Sequence, residues 1–467
     1  MLDLQAGLDS KHGLIQTATL AAFGAVILAL TLTGLSLHLP HADSVGSVQR
    51  TNVFVAIAAC AGAAYLVACA LVLRLRAPPR GVLWLVLGIA VAVRLPVLLA
   101  PPFLSSDLYR YVWDGRVQAA GINPYRYIPA DPALAALRDP AIYPHINRRD
   151  YAPTIYPPMA QVIFRAVAAI GQSALAVKIA MVGFECLAIA CLIGLLRIAR
   201  LPTARVLIYA WNPLAVWAFA GNGHVDAAAV GLIAAALLCR ALRRDGLAGA
   251  VLGGAVLVKF LPLAIAPALW RPWSRRARWQ APLAGLAVMV GLYACYISVG
   301  ARVFGFLSTY GSEEGITQGG GVWLLAGLGE LIAVPPSAGQ LYLLFCGSAL
   351  MAMALTMLVR SRAALPPAAD TVRFCAQAGW LAAAFMIVLS PHYSWYFPFL
   401  AVFATVAPVR MVLWLSVAPL LLDLAPFHDH FFWRSLVYAP AIVLAVMDLR
   451  RREAEHSPMF AIAARNS

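Results

Sequence analysis

Apolar runs of about twenty residues recur along almost the whole of this chain, and that recurrence constrains its fold more than any other feature. A helix rises about 1.5 Å per residue, so roughly twenty apolar residues cross the hydrocarbon core of a bilayer. Twelve stretches fit, near 14–38, 52–74, 81–101, 174–197, 203–220, 225–242, 280–300, 339–360, 372–390, 393–408, 410–425 and 432–449. Of the 467 residues, 62% are hydrophobic and 12% charged, at a mean hydropathy of +0.80. No soluble domain of this size hides so much apolar surface. The expected fold class is an all-α polytopic membrane protein of about twelve transmembrane helices. Residues 1–449 read as one transmembrane domain and 450–467 as a cytoplasmic tail. Leu14–Leu37 is long enough to be a retained first helix rather than a cleaved signal peptide.

The net charge of +15 does not point to nucleic acid, because the arginines sit in short clusters between apolar runs rather than on one polar face. The positive-inside rule assigns the clusters at Arg74–Arg80, Arg197–Arg205, Arg240–Arg244, Arg271–Arg278, Arg360–Arg373 and Arg450–Arg452 to the cytoplasm, with both termini. Two segments then fail to span. Gly246–Trp270 has basic clusters on both flanks and reads as a re-entrant pair broken near Lys259 and Pro262. Residues 157–171 begin and end outside and read as an interfacial helix. The outer side holds the long loop 102–157, Gly221–Asp226, Ala301–Gly321, the Ser390–Tyr396 corner and Phe427–Arg434, which carries the cluster His428–His430. The eight cysteines lie in apolar stretches with no CxxC spacing, so neither a disulfide nor a zinc site is expected.

The distinctive polar residues gather on that outer side. In SSDLYRYVWDGRVQAAGINPYRY, Ser105–Tyr127, Asp107 and Asp114 lie two helical turns apart on one face, with Arg110 between them. A carboxylate at the outer end of a span, in an aromatic-rich loop, can take a proton from a hydroxyl. The same residues also suit an interfacial helix whose Asp and Arg simply pair. Asn222-Gly-His224-Val-Asp226 opens a helix, where one residue serves as cap and the histidine is left over. Lys259 stands in the apolar run VLVKFLPL, where a cation costs about 2.5–3.5 kcal/mol. It calls for a lipid phosphate or a nearby carboxylate, unless it snorkels to the inner headgroups. Arg94 poses the same question within the 81–101 run. Tyr156-Pro-Pro and Ser390-Pro-His392-Tyr393-Ser-Trp395-Tyr-Phe-Pro398 are stiff corners, the second an aromatic belt or a surface for sugar or isoprenoid. No P-loop follows the glycines at 319–321, and no GxSxG motif is present.

The chain resembles the GT-C superfamily of integral-membrane glycosyltransferases, nearest to glycosyltransferase family 87 and its mannosyltransferase relatives. The resemblance rests on SSDLYRYVWDGRVQAAGINPY at 105–125, IYPP at 155–158, WNPLAVWAFAGNGHVDAAAVG at 211–231, VLVKFLPL at 256–263 and SPHYSWYF at 390–397. It implies a GT-C-like arrangement and inverting, metal-independent transfer of a hexose, mannose favoured, from a polyprenyl-phosphate sugar to a lipid or glycan acceptor. That chemistry would take place at the outer face of the bacterial inner membrane and need no cofactor. Asp107 would be the catalytic base, seconded by Asp114. Lys259 and Arg94 would bind the donor phosphate. Arg110, Tyr111, Tyr156 and Asn222 would hold substrate, as would His224, Asp226, His392, Tyr393 and Trp395. In many GT-C proteins the acidic loop follows the first span, whereas here it follows the third, so two additional N-terminal helices are implied. A lipid-linked-sugar flippase or transporter is the alternative, but it needs polar groups along a path through the bilayer. This chain collects its acids at one surface.

Overall fold

The computed structural model describes residues 2–37, 45–75, 79, 81–335, 337–424 and 431–456, and every regular element among them is helical. Arg76, Arg80, the His428–His430 cluster and the last residues of the tail lie outside the described residues. Among the described residues seven helices are long and apolar enough to cross a membrane: Ile15–Ser36, Val48–Arg74, Val82–Leu99, Ala174–Ile198, Ala338–Arg360, Pro367–Leu389 and Phe432–Arg451. Ala277–Ala294 adds an eighth if counted with the bent pieces that follow it. The chain is an all-α polytopic membrane protein, with fewer such helices among the described residues than the twelve spans expected.

The shortfall has a physical cause. The runs at 203–220, 393–408 and 410–425 are apolar because protein, not lipid, surrounds them. Between Thr203 and Gly221 the backbone breaks into Thr203–Val206, Leu207–Ala210, Pro213–Ala215 and the wide turn Val216–Gly221, and nearly every side chain there is buried. Pro213 forces the break, since it lacks an N–H and its ring obstructs the preceding turn. Broken backbone at membrane depth persists only where other groups meet its polar atoms. Tyr65 Oη donates to the Ile208 carbonyl at 2.6 Å, Arg94 Nη1 to the Ala210 carbonyl at 2.6 Å, and the Trp211 indole to the Val86 carbonyl at 2.9 Å. Asn212 accepts from the Ala215 N–H at 3.1 Å and donates to the Ser416 carbonyl at 2.9 Å. The short helices Leu400–Val406, Arg410–Leu415 and Ala418–Asp423 occupy the same interior. The expected span at 225–242 is a 16-residue helix, Asp226–Ala241, also largely enclosed by protein.

That helix runs between two unlike ends of the bundle. At its Arg240 end, basic residues from several connections converge. Arg240, Arg243 and Arg373 surround Asp370 at 3.0, 3.4 and 2.8 Å, and the Arg362 guanidinium sits 4.1 Å from the Trp273 ring centroid. From this end Asp245–Val256 turns back alongside, against Ala277–Ala294. Small residues allow the approach: a Cβ on Gly253 would come within 2.6 Å of the Gly285 carbonyl. The helix stops at Leu257, and the chain returns through Leu261–Ile265 and Ala266–Leu269. Arg271 Nε donates to Asp245 at 2.8 Å, joining the two ends of the excursion. Its tip, Lys259, pairs with Asp226 at 2.6 Å. At 1.5 Å per residue, Asp226 stands about 20 Å from Arg240 along its helix. Lys259 therefore reaches the far end of the bundle from the basic clusters, rather than the headgroups beside them.

The expected interfacial segment is the 13-residue helix Pro158–Ile170. It rises only about 20 Å, short of the roughly 30 Å of a hydrocarbon core. It lies along Asp107–Ala119, so closely that a Cβ on Gly115 would meet the Phe164 carbonyl at 2.5 Å. The N–H groups of Met159 and Ala160 donate to the Leu257 carbonyl at 3.0 and 3.2 Å, which ties this helix to the break beside Lys259.

Arg94 carries a stability prediction. Its Nη2 is 2.8 Å from Glu185, and both side chains are buried. Arg94→Met leaves a buried carboxylate unpaired, a loss of about 3–5 kcal/mol. Thermal unfolding in detergent should show a large drop, and adding Glu185→Leu to the same chain should restore much of it.

Candidate active site

Two side chains fix the approach to Asp107. Lys178 Nζ, buried, donates to the Val97 and Ala100 carbonyls at 3.0 and 2.5 Å, closing the end of Val82–Leu99. Asn222 accepts the Phe103 and Leu104 N–H groups on its Oδ1, both at 3.0 Å, and donates to the Trp217 carbonyl at 2.9 Å. The segment between Val97 and Leu104 is thus pinned from two sides. Helix Asp107–Ala119 then starts with the Asp107 N–H donating to Ser105 Oγ at 3.2 Å.

Asp107 faces a cavity of about 1070 Å³. Its polar end holds Asp107, Asn147, Arg148, Lys259, Glu314 and His392. Its other part is an apolar arm, lined by Leu263 and Pro267 beyond the break, Leu350 and Met351 of Ala338–Arg360, and Leu381 and Phe385 of Pro367–Leu389. Asp107 Oδ1 accepts from Asn147 Nδ2 at 2.7 Å, and the side chain is 20% exposed. Burial pushes the Asp107 carboxyl above the usual carboxylate range and the Asp226 charge adds to this, against the Asn147 hydrogen bond and the Lys259 and Arg148 charges. The Lys259 ammonium, besides its bond to Asp226, lies 3.4 Å from the Tyr396 ring centroid. Across the cavity Glu314 accepts from Tyr393 Oη at 2.9 Å and lies 3.4 Å from both Arg148 Nη2 and His392 Nε2. Arg148 also meets Glu313 at 2.5 Å, so the outer loop is fastened to the Leu307–Glu313 helix above the cavity.

Of the residues expected from the sequence, Asp107, Lys259, Tyr111, Tyr156, His392, Tyr393 and Trp395 line this one cavity. Asp226 lies beside it as the partner of Lys259. His224 is 1% exposed behind Trp395, with the two rings stacked at 4.2 Å. Four others are elsewhere or engaged, among them Asn222, whose side chain is taken up by the Phe103 and Leu104 N–H groups and the Trp217 carbonyl. Asp114 is 2% exposed, and its carboxylate accepts from Arg110 Nε at 2.9 Å, Thr154 Oγ1 at 2.5 Å and Gln161 Nε2 at 2.9 Å. Asp114 and Arg110 thereby bind helix Asp107–Ala119 to the segment from Ala152 to Gln161. Arg94 spends its donors on Glu185, Ala90 and Ala210. Sequence reasoning missed Asn147, Arg148, Tyr310, Glu314 and Tyr396. Glu313-Glu314 carried a signal, as an acid pair in a predicted outer loop of a chain with only 20 acids. Asn147 and Arg148 carried none beyond their place in the long loop.

Residues 11–275 match a family described as alpha-(1->6)-mannopyranosyltransferase, N-terminal domain, over more than half of the chain. The chain belongs to this family. It is a mannose-transferring glycosyltransferase of the membrane, in agreement with the resemblance carried by the motifs. The matched region takes in Asp107, Asp226 and Lys259 and ends before Glu314 and the 390–397 corner. No curated relative and no solved structure matches.

The environments of the two aspartates predict opposite stability effects. A carboxyl whose pKa is raised on folding favours the folded state at low pH and loses that contribution as pH rises through the raised value. Asp107→Asn should therefore leave the neutral-pH melting temperature unchanged or higher. Asp114→Asn leaves the buried Arg110 without its counter-charge and should lower it clearly. A melting comparison of the two variants in one detergent checks both.

Proposed function

We propose that this mannosyltransferase takes its sugar from a polyprenyl-phosphate donor and passes it to a hydroxyl of a lipid or glycan acceptor, with inversion and without a metal ion. The observation that carries this reading is the two-part cavity. Its apolar arm suits an isoprenoid tail, and its polar end presents an ammonium and a carboxylate together. With the tail in the arm, the donor phosphate meets Lys259 and the sugar extends toward Asp107. The acceptor hydroxyl gives its proton to Asp107 Oδ2. The acceptor oxygen bonds to the anomeric carbon from the face opposite the phosphate. The carbon–phosphate-oxygen bond breaks, and its electron pair leaves on the phosphate, whose charge Lys259 meets. Inversion yields an α product, as the family description names, when the donor linkage is β. The positive-inside rule puts the Asp370 end of the bundle in the cytoplasm and the cavity at the outer face. Tyr393 and Trp395 offer stacking faces for the sugar, and Glu314 with His392 offers hydrogen bonds to its hydroxyls.

Purified protein in nanodiscs, given polyprenyl-phosphate mannose and a synthetic alkyl mannoside, should form an α-mannosidic product by NMR at a rate unchanged by EDTA. Asp107→Asn should lower kcat by about 10²–10⁴-fold. The base must be ionised to act, so activity should fall as pH drops through a pKa above the ordinary aspartate range, and this limb should vanish in the variant. A normal rate in Asp107→Asn with an inactive Asp114→Asn would transfer the role of base to Asp114.

A further inference from the structure

The buried histidine beside Asp107 stands outside the mechanism so far, and its surroundings are unusual. His224 is 1% exposed, yet among the described residues neither ring nitrogen finds a hydrogen-bond partner. A buried polar group left unmatched carries a desolvation cost. The ring is fixed rather than adrift, stacked on Trp395 within 13° of parallel. Its Nδ1 lies 3.8 Å from Asp107 Oδ2, beyond hydrogen-bond reach. Asn147 bonds the other oxygen, Oδ1.

We propose that His224 is a positioning residue acting through Asp107: its Nδ1 lone pair accepts a hydrogen bond from Asp107 only after Asp107 has taken the acceptor's proton. The inference rests on Asp107 being the base. In the resting enzyme the Nδ1 lone pair then meets a carboxylate oxygen that has no proton to offer, which accounts for the separation and for the missing partner on Nδ1. Burial, and then the Lys259 charge, keep the imidazole neutral, with one N–H and one lone pair. When the acceptor O–H bond breaks and the proton arrives on Oδ2, that O–H turns to Nδ1 and closes the gap by about 1 Å. The new bond exists with the proton on Asp107 and not before, so it stabilises the transition state over the ground state. Other charged and titratable groups face Asp107: Lys259 and Asp226 from the re-entrant tip and its partner helix, Arg148 from the outer loop, and the phenols of Tyr111, Tyr156, Tyr310 and Tyr396. They act on both protonation states through space. His224 Nδ1 is the acceptor placed to bond the protonated form.

His224→Phe keeps the stack on Trp395 and removes the nitrogen. Two readouts test it, one free of substrate. Infrared pH titration of the protein alone follows the protonated Asp107 carboxyl, identified by its absence in Asp107→Asn. Its midpoint should move down by about one pH unit in His224→Phe, because an acceptor of the acid form is lost. With polyprenyl-phosphate mannose and an alkyl mannoside, kcat should fall about tenfold at unchanged KM, and the acid limb should move down with the midpoint. His224→Gln, whose side-chain carbonyl can accept, should recover part of both and serves if the Phe variant does not fold. A midpoint that stays or rises overturns the proposal. Turnover lacking in the parent protein overturns the polyprenyl-phosphate reading instead, and the infrared result then judges the hydrogen bond alone.

Discussion

The ion pair between Lys259 and Asp226 is the contact on which the rest of the site depends. A lysine in an apolar run is costly, and the chain meets that cost by carrying it across the bundle to a carboxylate 2.6 Å away. Everything around the pair serves that delivery. Glycines on Asp245–Val256 let the excursion pack tightly on Ala277–Ala294. The Leu257 carbonyl, freed by the break, takes two N–H groups from the start of Pro158–Ile170. Arg271 and Asp245 fasten the two ends of the excursion. A cation therefore stands at the same end of the molecule as Asp107.

Around that pair the cavity separates two surfaces, which the proposed lipid-linked donor would use for two tasks. The apolar arm would hold an isoprenoid tail, which demands only shape and aliphatic side chains. In the proposed mechanism the polar end handles charge, with Lys259 for a phosphate and Asp107 for a proton. The second acid of the motif region, Asp114, is buried, and its three hydrogen-bond donors tie the surface helices together. Glu314 is shared among Arg148, Tyr393 and His392, which links the outer loop, the Leu307–Glu313 helix and the 390–397 corner across the cavity mouth.

Much of this was legible in the sequence, and the failures have a common origin. Hydropathy identifies apolar runs but does not tell lipid from protein as their surroundings. Residues 203–220 read as a span, yet the Asn212-Pro213 break and its partners Tyr65, Arg94 and Ser416 belong to a protein interior. Charge asymmetry did better: basic flanks on both sides of 246–270 required an excursion that returns, and the chain does turn at Lys259. Asp107 stood out because its place at the end of a span is local information. Its partner Asn147 lies 40 residues away, and Glu314 reaches the site from the other half of the chain, so only folding reveals them. Arg94 and Lys259 looked alike as lone cations in apolar runs. What separates them is that Glu185 and two carbonyls exhaust the first, whereas the second opens onto the cavity.

The proposed contact between Lys259 and the donor phosphate is tested most directly by affinity for the donor. Lys259→Met alone would strand Asp226, so the comparison is between Asp226→Asn and the double variant Asp226→Asn/Lys259→Met. Binding of polyprenyl-phosphate mannose to each in nanodiscs should be at least about tenfold weaker in the double variant, with both proteins equally folded. Equal affinities would contradict the account and leave the phosphate to another cation.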